Sequence, residues 1–293
     1  MSSPVVEMFF HKSTFTLSYV VKDPMSRCAV IIDPALDYDA AAARTSTRHA
    51  DRILKYVLDN DLKVEWILET HAHADHLSAA QYLRAKAGGK IAIGEGICEV
   101  QKTFREVFNL DDLVTDGSQF DRLLKDNEKL AIGMMEATVL HTPGHTNDSV
   151  SYLIGDAVFV GDTLFAPDFG SARTDFPGGD ARYLYRSIHR LFGLSDATRV
   201  FLCHDYMPAG RELEYVHRLE EHKLKNIHIN ESVTEEEFVS RRNARDEKLG
   251  MPGLIIPSIQ INIRAGKLPD PENNGVAYLK VPLNQLGKSS RAG

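Results

Sequence analysis

Three imidazoles and a carboxylate fall within six consecutive residues in the segment Thr70-His71-Ala72-His73-Ala74-Asp75-His76. Imidazole and carboxylate are the side chains that hold transition metals, and alternation along an extended loop turns His71, His73 and Asp75 toward one side. Three later segments carry the same kinds of group: His141-Thr142-Pro143-Gly144-His145-Thr146, Gly161-Asp162-Thr163-Leu164-Phe165 and Phe201-Leu202-Cys203-His204-Asp205-Tyr206. One Gly-Asp turn or one histidine alone is ordinarily structural. Four such segments, each at the end of an apolar run, predict a single metal site fed by several strand ends. Imidazole suits zinc, iron, copper and nickel alike, so ligand type leaves the metal open.

The elements that must carry these residues are legible as alternating runs. Thr14 to Val21, Ala29 to Asp33 and Val64 to Thr70 are rich in β-branched residues, and the last two end in a polar residue, as buried strands delivering side chains at their C-terminal ends would. Ala40 to Asn60 is read as an amphipathic helix, and Leu77 to Ala87 as another, stopped by Gly88-Gly89. Further strands are predicted at Leu130 to Leu140, Val150 to Ile154, Ala157 to Gly161 and Val200 to Cys203, with a hairpin turn at Gly155-Asp156. Two successive strand-and-helix halves imply an α/β layered sandwich. Glu212 to Asn226 has helical character, and Thr234 followed by three glutamates reads as the cap and first turn of one more helix. From Gly250 onward the prolines are taken to exclude regular helix and to leave a wrapping arm, with Gly287 to Gly293 frayed. The division expected is a catalytic domain over 1–230 and an extension over 231–293 that packs on it or on a subunit partner.

A chain of 293 residues with 43% hydrophobic residues suffices for a globular core. The net charge of −7 argues against a nucleic-acid partner, which needs clustered Lys and Arg, while a local basic pocket for a small anion remains compatible. No apolar run approaches the roughly 20 residues that span a bilayer, and the opening residues lack the pattern of a secretory leader, so no membrane partner and a cytoplasmic location are expected. Cys28, Cys98 and Cys203 are far apart, which offers neither a disulfide framework nor a cysteine zinc site.

Taken together, THAHADH, HTPGHT, GDTLF and CHDY resemble the metallo-β-lactamase superfamily over about residues 8 to 210. The fold this implies is an αββα sandwich, two mixed β-sheets between helical layers. Ser171-Ala172-Arg173-Thr174-Asp175-Phe176 and His204-Asp205-Tyr206 further resemble the persulfide dioxygenases, also called sulfur dioxygenases, the branch that includes the mitochondrial enzyme lost in ethylmalonic encephalopathy. That resemblance implies one Fe(II) per chain on His71, His145 and Asp162, a two-histidine, one-carboxylate face with open positions. It implies a glutathione pocket that includes Arg173 and Tyr206, O2 and a small-molecule persulfide as reactants, sulfite and thiol as products, and a homodimer. One departure is that the basic residue such relatives carry in an Asn-Pro-Arg stretch is replaced here by Asn226-Ile227-His228. His73 and Asp75 are expected to orient the ligands from outside. The alternative is a glyoxalase II-like hydrolase of thioesters or lactones with two Zn(II) per chain, in which His73, Asp75, His76 and His204 complete two sites bridged by Asp162.

Overall fold

Residues 3–287 are described by a computed structural model. Side-chain alternation sorts the N-terminal strands onto two faces: Tyr19, Val21, Val30 and Ile32 enter one apolar cluster, while Val20, Ala29 and Ile31 enter another. Both faces of this sheet are therefore covered. Its strands run in the order Val5–His11, Thr16–Lys22, Cys28–Ile32, Lys63–Leu68, Lys90–Gly94 and Arg122–Leu124. The first three are antiparallel and the last four parallel, as the intervening crossovers require. A second sheet follows in the order Lys129–Ile132, Met135–His141, Val150–Ile154, Ala157–Phe159, Arg199–Phe201 and Val216–Arg218. The two sheets bury one core between them, Tyr19 and Leu68 meeting Val139, Tyr152 and Phe159.

Helices close the outer faces. Arg48–Asp59 (α1), Ala80–Ala87 (α2) and Ile97–Phe108 (α3) lie on the first sheet, through Ile53, Leu83 and Phe104. Ala181–Phe192 (α4), Leu219–Lys225 (α5) and Glu235–Asp246 (α6) pack on the second, through Ile188, Leu219 and Phe238. The result is the expected αββα sandwich. Ile255–Asn262 (α7) joins the first helical layer, with Ile255 and Ile259 in its core. The α6 helix begins at Thr234 with the predicted reciprocal cap to Glu237.

Several boundaries differ from the sequence reading for identifiable reasons. The predicted helix over 40–60 is only its second half: Ala35–Asp39 and Arg44–Ser46 form a hairpin whose turn is held by Asp39 accepting from the Ala41 and Ala42 amides. Leu77–Ser78 is extended, pairing with Ala35–Leu36, so α2 starts three residues later than expected. The run 130–140 is two strands folded at Gly133-Met134. Within 212–226 a short strand precedes α5. Helix α7 contradicts the exclusion of helix beyond Gly250; Pro257 is its third residue, where the missing N–H would have had no intrahelical partner. The expected fraying of 287–293 falls, apart from Gly287, outside the described residues.

Candidate metal centre

The site lies where the ends of both sheets meet. Asp33, directly after Cys28–Ile32, accepts from the Thr70 amide at 2.7 Å and from Thr70 Oγ1 at 2.9 Å. With its proton given to Asp33, Thr70 Oγ1 can only accept from His71 Nδ1, 3.0 Å away. This fixes the tautomer: His71 Nε2 carries a lone pair, and it has no hydrogen-bond partner among the described residues. His145 is oriented in the same way, its Nδ1 donating to the Arg173 carbonyl at 2.7 Å. Both Nε2 atoms face Asp162 Oδ2, at 3.9 Å from His71 and 3.6 Å from His145. Gly161 keeps the strand end close, since at φ +51° a Cβ there would lie 2.6 Å from Thr70 Oγ1. His71, His145 and Asp162 are buried and lie together.

Burial and the neighbouring imidazoles push His71 well below the usual histidine range. It is thus neutral and able to bind a cation. Convergent lone pairs on neutral imidazoles beside a carboxylate, in a buried site, fit a transition metal.

Two other clusters adjoin this one. His204 Nε2 lies 3.1 Å from Asp75 Oδ2 and 3.4 Å from Asp162 Oδ1, and His76 Nδ1 is 3.3 Å from Asp75 Oδ1. Burial acts to raise the Asp75 carboxyl, but His204, His76 and His73 outweigh it and hold the group below its ordinary range. Burial and His73 bring His76 down to about 4. His73 has Nε2 at 3.0 Å from Asp33 Oδ1 and 3.4 Å from Glu69 Oε2, while its Nδ1, buried and without a hydrogen-bond partner among the described residues, leaves the ring able to join Asp75 and His76 around a cation. Burial acts to lower His73, yet these carboxylates raise it well above the usual range. Asp33 is the ionised partner, while burial pushes Glu69 up.

A cavity of about 420 Å³ opens onto the cluster and reaches Asp75, His145 and Asp162. Its walls are aromatic, Phe165, Phe169, Phe176 and Tyr206 among them. The Tyr206 ring stacks at 13° on His204, and desolvation together with Asp75 and Asp162 pushes its phenol well above the usual range. Arg173 also lines the cavity, but its guanidinium is engaged: Nε and Nη2 donate to Asp175 and Nη1 to the Gly250 carbonyl. The Arg173 guanidinium is thus paired within the protein, while its backbone carbonyl holds His145.

Sequence reasoning missed the part played by α6. Arg242, buried, grips Asp246 one turn on and donates to the Ser171 carbonyl, while Asp246 accepts from the Thr174 amide and hydroxyl. The pair holds the 171–174 wall of the cavity. Its i,i+4 spacing was visible, but its partner was not. Asn226 and His228, which replace the basic stretch, brace the same wall: Asn226 Nδ2 donates to Gly170 O and His228 Nδ1 accepts from the Ser171 amide. Of the other histidines, His11, His49 and His222 are buried.

An αββα sandwich whose strand ends converge histidines and aspartates in a buried cluster defines a metal-binding protein of the metallo-β-lactamase kind. Residues 13–204 match the metallo-beta-lactamase superfamily, and the chain belongs to it. It is similar to a probable metallo-hydrolase of Burkholderia pseudomallei (strain 1710b), 49% identical over 96% of this chain and 99% of that protein. Glyoxylase B2 of Dictyostelium discoideum is 46% identical over 96% of this chain and 97% of its own length. The mitochondrial persulfide dioxygenase ETHE1 of Bos taurus is 27% identical over 89% of each. Among solved structures, ETHE1 from Myxococcus xanthus superposes with a TM-score of 0.72 at 31% identity, covering 90% of this chain and 100% of that one. No helix among the described residues is long and apolar enough to cross a membrane.

Proposed function

We propose that this chain oxidises a small-molecule persulfide with O2 at one Fe(II) held by His71, His145 and Asp162. The observation that carries the reading is the convergence of His71, His145 and Asp162, each imidazole held from behind through Nδ1 with its Nε2 facing Asp162 Oδ2. This is a two-histidine, one-carboxylate face, the donor set of non-haem iron oxygenases. The likeness to the two ETHE1 proteins supports the same reading.

The overall change is RSSH + O2 + H2O → RSH + sulfite + 2 H⁺, the terminal sulfur gaining both oxygens of O2 and the S–S bond yielding to water. A bound ferrous ion would bring O2 and the terminal sulfur together and mediate the electron transfer between them. The protein's own groups do the rest. Thr70 and the Arg173 carbonyl hold His71 and His145 in the ligating tautomer. Phe165, Phe169 and Phe176 keep bulk water from the sulfur. For the carrier thiol's carboxylate the fitting partner is Arg245 of α6: it lies at the cavity, its guanidinium approaches the Phe169 ring, and no carboxylate pairs with it among the described residues. Glutathione persulfide has the size and charge that this arrangement accommodates.

A second reading is favoured by the gathering of His204, Asp75 and Asp162, which offers a place for another cation. On that reading the chain is a dinuclear zinc hydrolase of thioesters or lactones, in line with the names of its relatives at 46–49% identity. Metal analysis of protein purified anaerobically, with O2 uptake on glutathione persulfide, decides between them. Near one iron per chain and persulfide-dependent uptake are expected. Two zinc ions per chain with thioester or lactone hydrolysis and no uptake would overturn the dioxygenase.

A further inference from the structure

Asn262, the last residue of α7, is buried and makes three side-chain hydrogen bonds, every one to the segment that carries the histidines. Its Nδ2 donates to the carbonyls of His73 and His76, at 2.8 Å each, and its Oδ1 accepts from the Ser78 amide at 2.8 Å. The carboxamide thus bridges the two ends of the turn that presents Asp75 and starts the exit from the loop. Only a side chain with two donors and an acceptor on one short arm can do this. Aspartate would set a charge against two carbonyls, and glutamine reaches one methylene too far.

The helix behind the carboxamide is itself held firmly. Ile255 and Ile259 are in the core, Gln101 on α3 donates to the Ile263 carbonyl at 2.9 Å, and Gly266 packs so closely that a Cβ would lie 2.9 Å from Ser78 O. We propose that Asn262 is a positioning residue for the metal loop, so that the C-terminal helix sets part of the site's metal affinity. This rests on the metal-binding reading of the site and not on which metal binds.

The test compares Asn262→Asp and Asn262→Ala with Gln260→Ala, which cuts a tie of the same helix to Lys280 and leaves the loop untouched. Each protein is loaded anaerobically with Fe(II) and, separately, with Zn(II). Affinity is read by chelator competition and by the rise in Tm that metal produces over the metal-free form. Loss of ligand orientation typically costs about 10- to 100-fold in metal affinity, so the Asn262 variants should lose that much and show a smaller metal-induced rise. Gln260→Ala should lower both melting curves together and leave the rise unchanged. Wild-type affinity in the Asn262 variants, or an equal loss in Gln260→Ala, would overturn the proposal. Should the variants not fold, hydrogen exchange at the Ser78 amide of the wild-type protein serves instead. Linkage requires that metal slow that exchange if the clamp favours metal, and an unchanged rate refutes it. A wild-type chain that binds neither ion overturns the metal reading as well; binding with unaltered variants overturns this inference alone.

Discussion

Two clusters of the same residue types lie side by side in this molecule and use their carboxylates differently. In one, His71, His145 and Asp162 converge with the imidazole Nδ1 positions satisfied from behind and the Nε2 atoms left facing a carboxylate. In the other, Asp33 and Glu69 close the Nε2 side of His73, and its Nδ1 is left buried without a hydrogen-bond partner among the described residues. A motif such as HxHxDH supplies histidines; the groups behind the loop decide which nitrogen of each remains available to a cation. Asp33 does both jobs, fixing the His71 tautomer through Thr70 and engaging His73 at Nε2.

The largest expected effect tests the open cluster. His145→Ala should remove both bound metal and activity. His204→Ala should keep most of its iron and lose about 10- to 100-fold in rate, the range typical of groups that act through a ligand. In a two-zinc site His204 would itself be a ligand, and its loss would halve the metal and abolish turnover. Metal per chain and turnover of both variants under identical anaerobic loading make the comparison; equal and total loss in the two would count against the dioxygenase.

The closed cluster should behave as a structural ion pair. His73→Gln leaves Asp33 buried without its cationic partner, at a cost of about 3–5 kcal/mol in urea unfolding, while iron stays near one per chain. The pH dependence has a definite sign. His73 is raised, so its contribution is complete below about 6.5 and fades as pH climbs through the folded-state value; Asp33 is lowered, so its contribution is complete above about 3.9 and fades in acid. The stability gap between the metal-free wild type and His73→Gln should be widest between those limits and narrow on either side. A gap that widens toward alkaline pH, or iron lost with His73, would mean that the ring serves the metal after all.

Much of the site was legible because its ligands sit in short motifs at strand ends, where a buried apolar run announces the strand and the polar residue after it announces the delivery. The structure brings His71, His145 and Asp162 together. What escaped depends on contacts between distant segments. Nothing local to Asn262 or to the Arg242 and Asp246 pair shows that they grip the histidine loop and the 171–174 wall. Helix α7 was hidden by Pro257, a helix breaker everywhere except the first turn, where it stands. The hairpin over 35–46 was absorbed in part into a helix because its alanines have helical propensity, and the local turn in which Asp39 accepts from the amides two and three residues on overrides them.

The smallest effect concerns which arginine meets the substrate, and it sharpens the same contrast between spent and available groups. Arg173, singled out by its motif, has Nε, Nη1 and Nη2 all donating within the protein. The Arg245 guanidinium stands over the Phe169 ring, 5.8 Å from its centroid, and has no carboxylate partner among the described residues. A charge-assisted bond to a carboxylate contributes roughly 1.5–3 kcal/mol, so Arg245→Ala should raise KM for glutathione persulfide about 10-fold or more with kcat and iron content little changed. Inorganic polysulfide, which has no carboxylate, should be turned over as by the wild type. Arg173→Ala acts differently, because it releases Asp175 and the Gly250 carbonyl and loosens the segment whose backbone holds His145. Its rate should fall for both substrates alike. If instead Arg173→Ala discriminates between the two substrates and Arg245→Ala does not, Arg173 exchanges Asp175 for the substrate carboxylate when the substrate binds, and the assignment of roles is reversed.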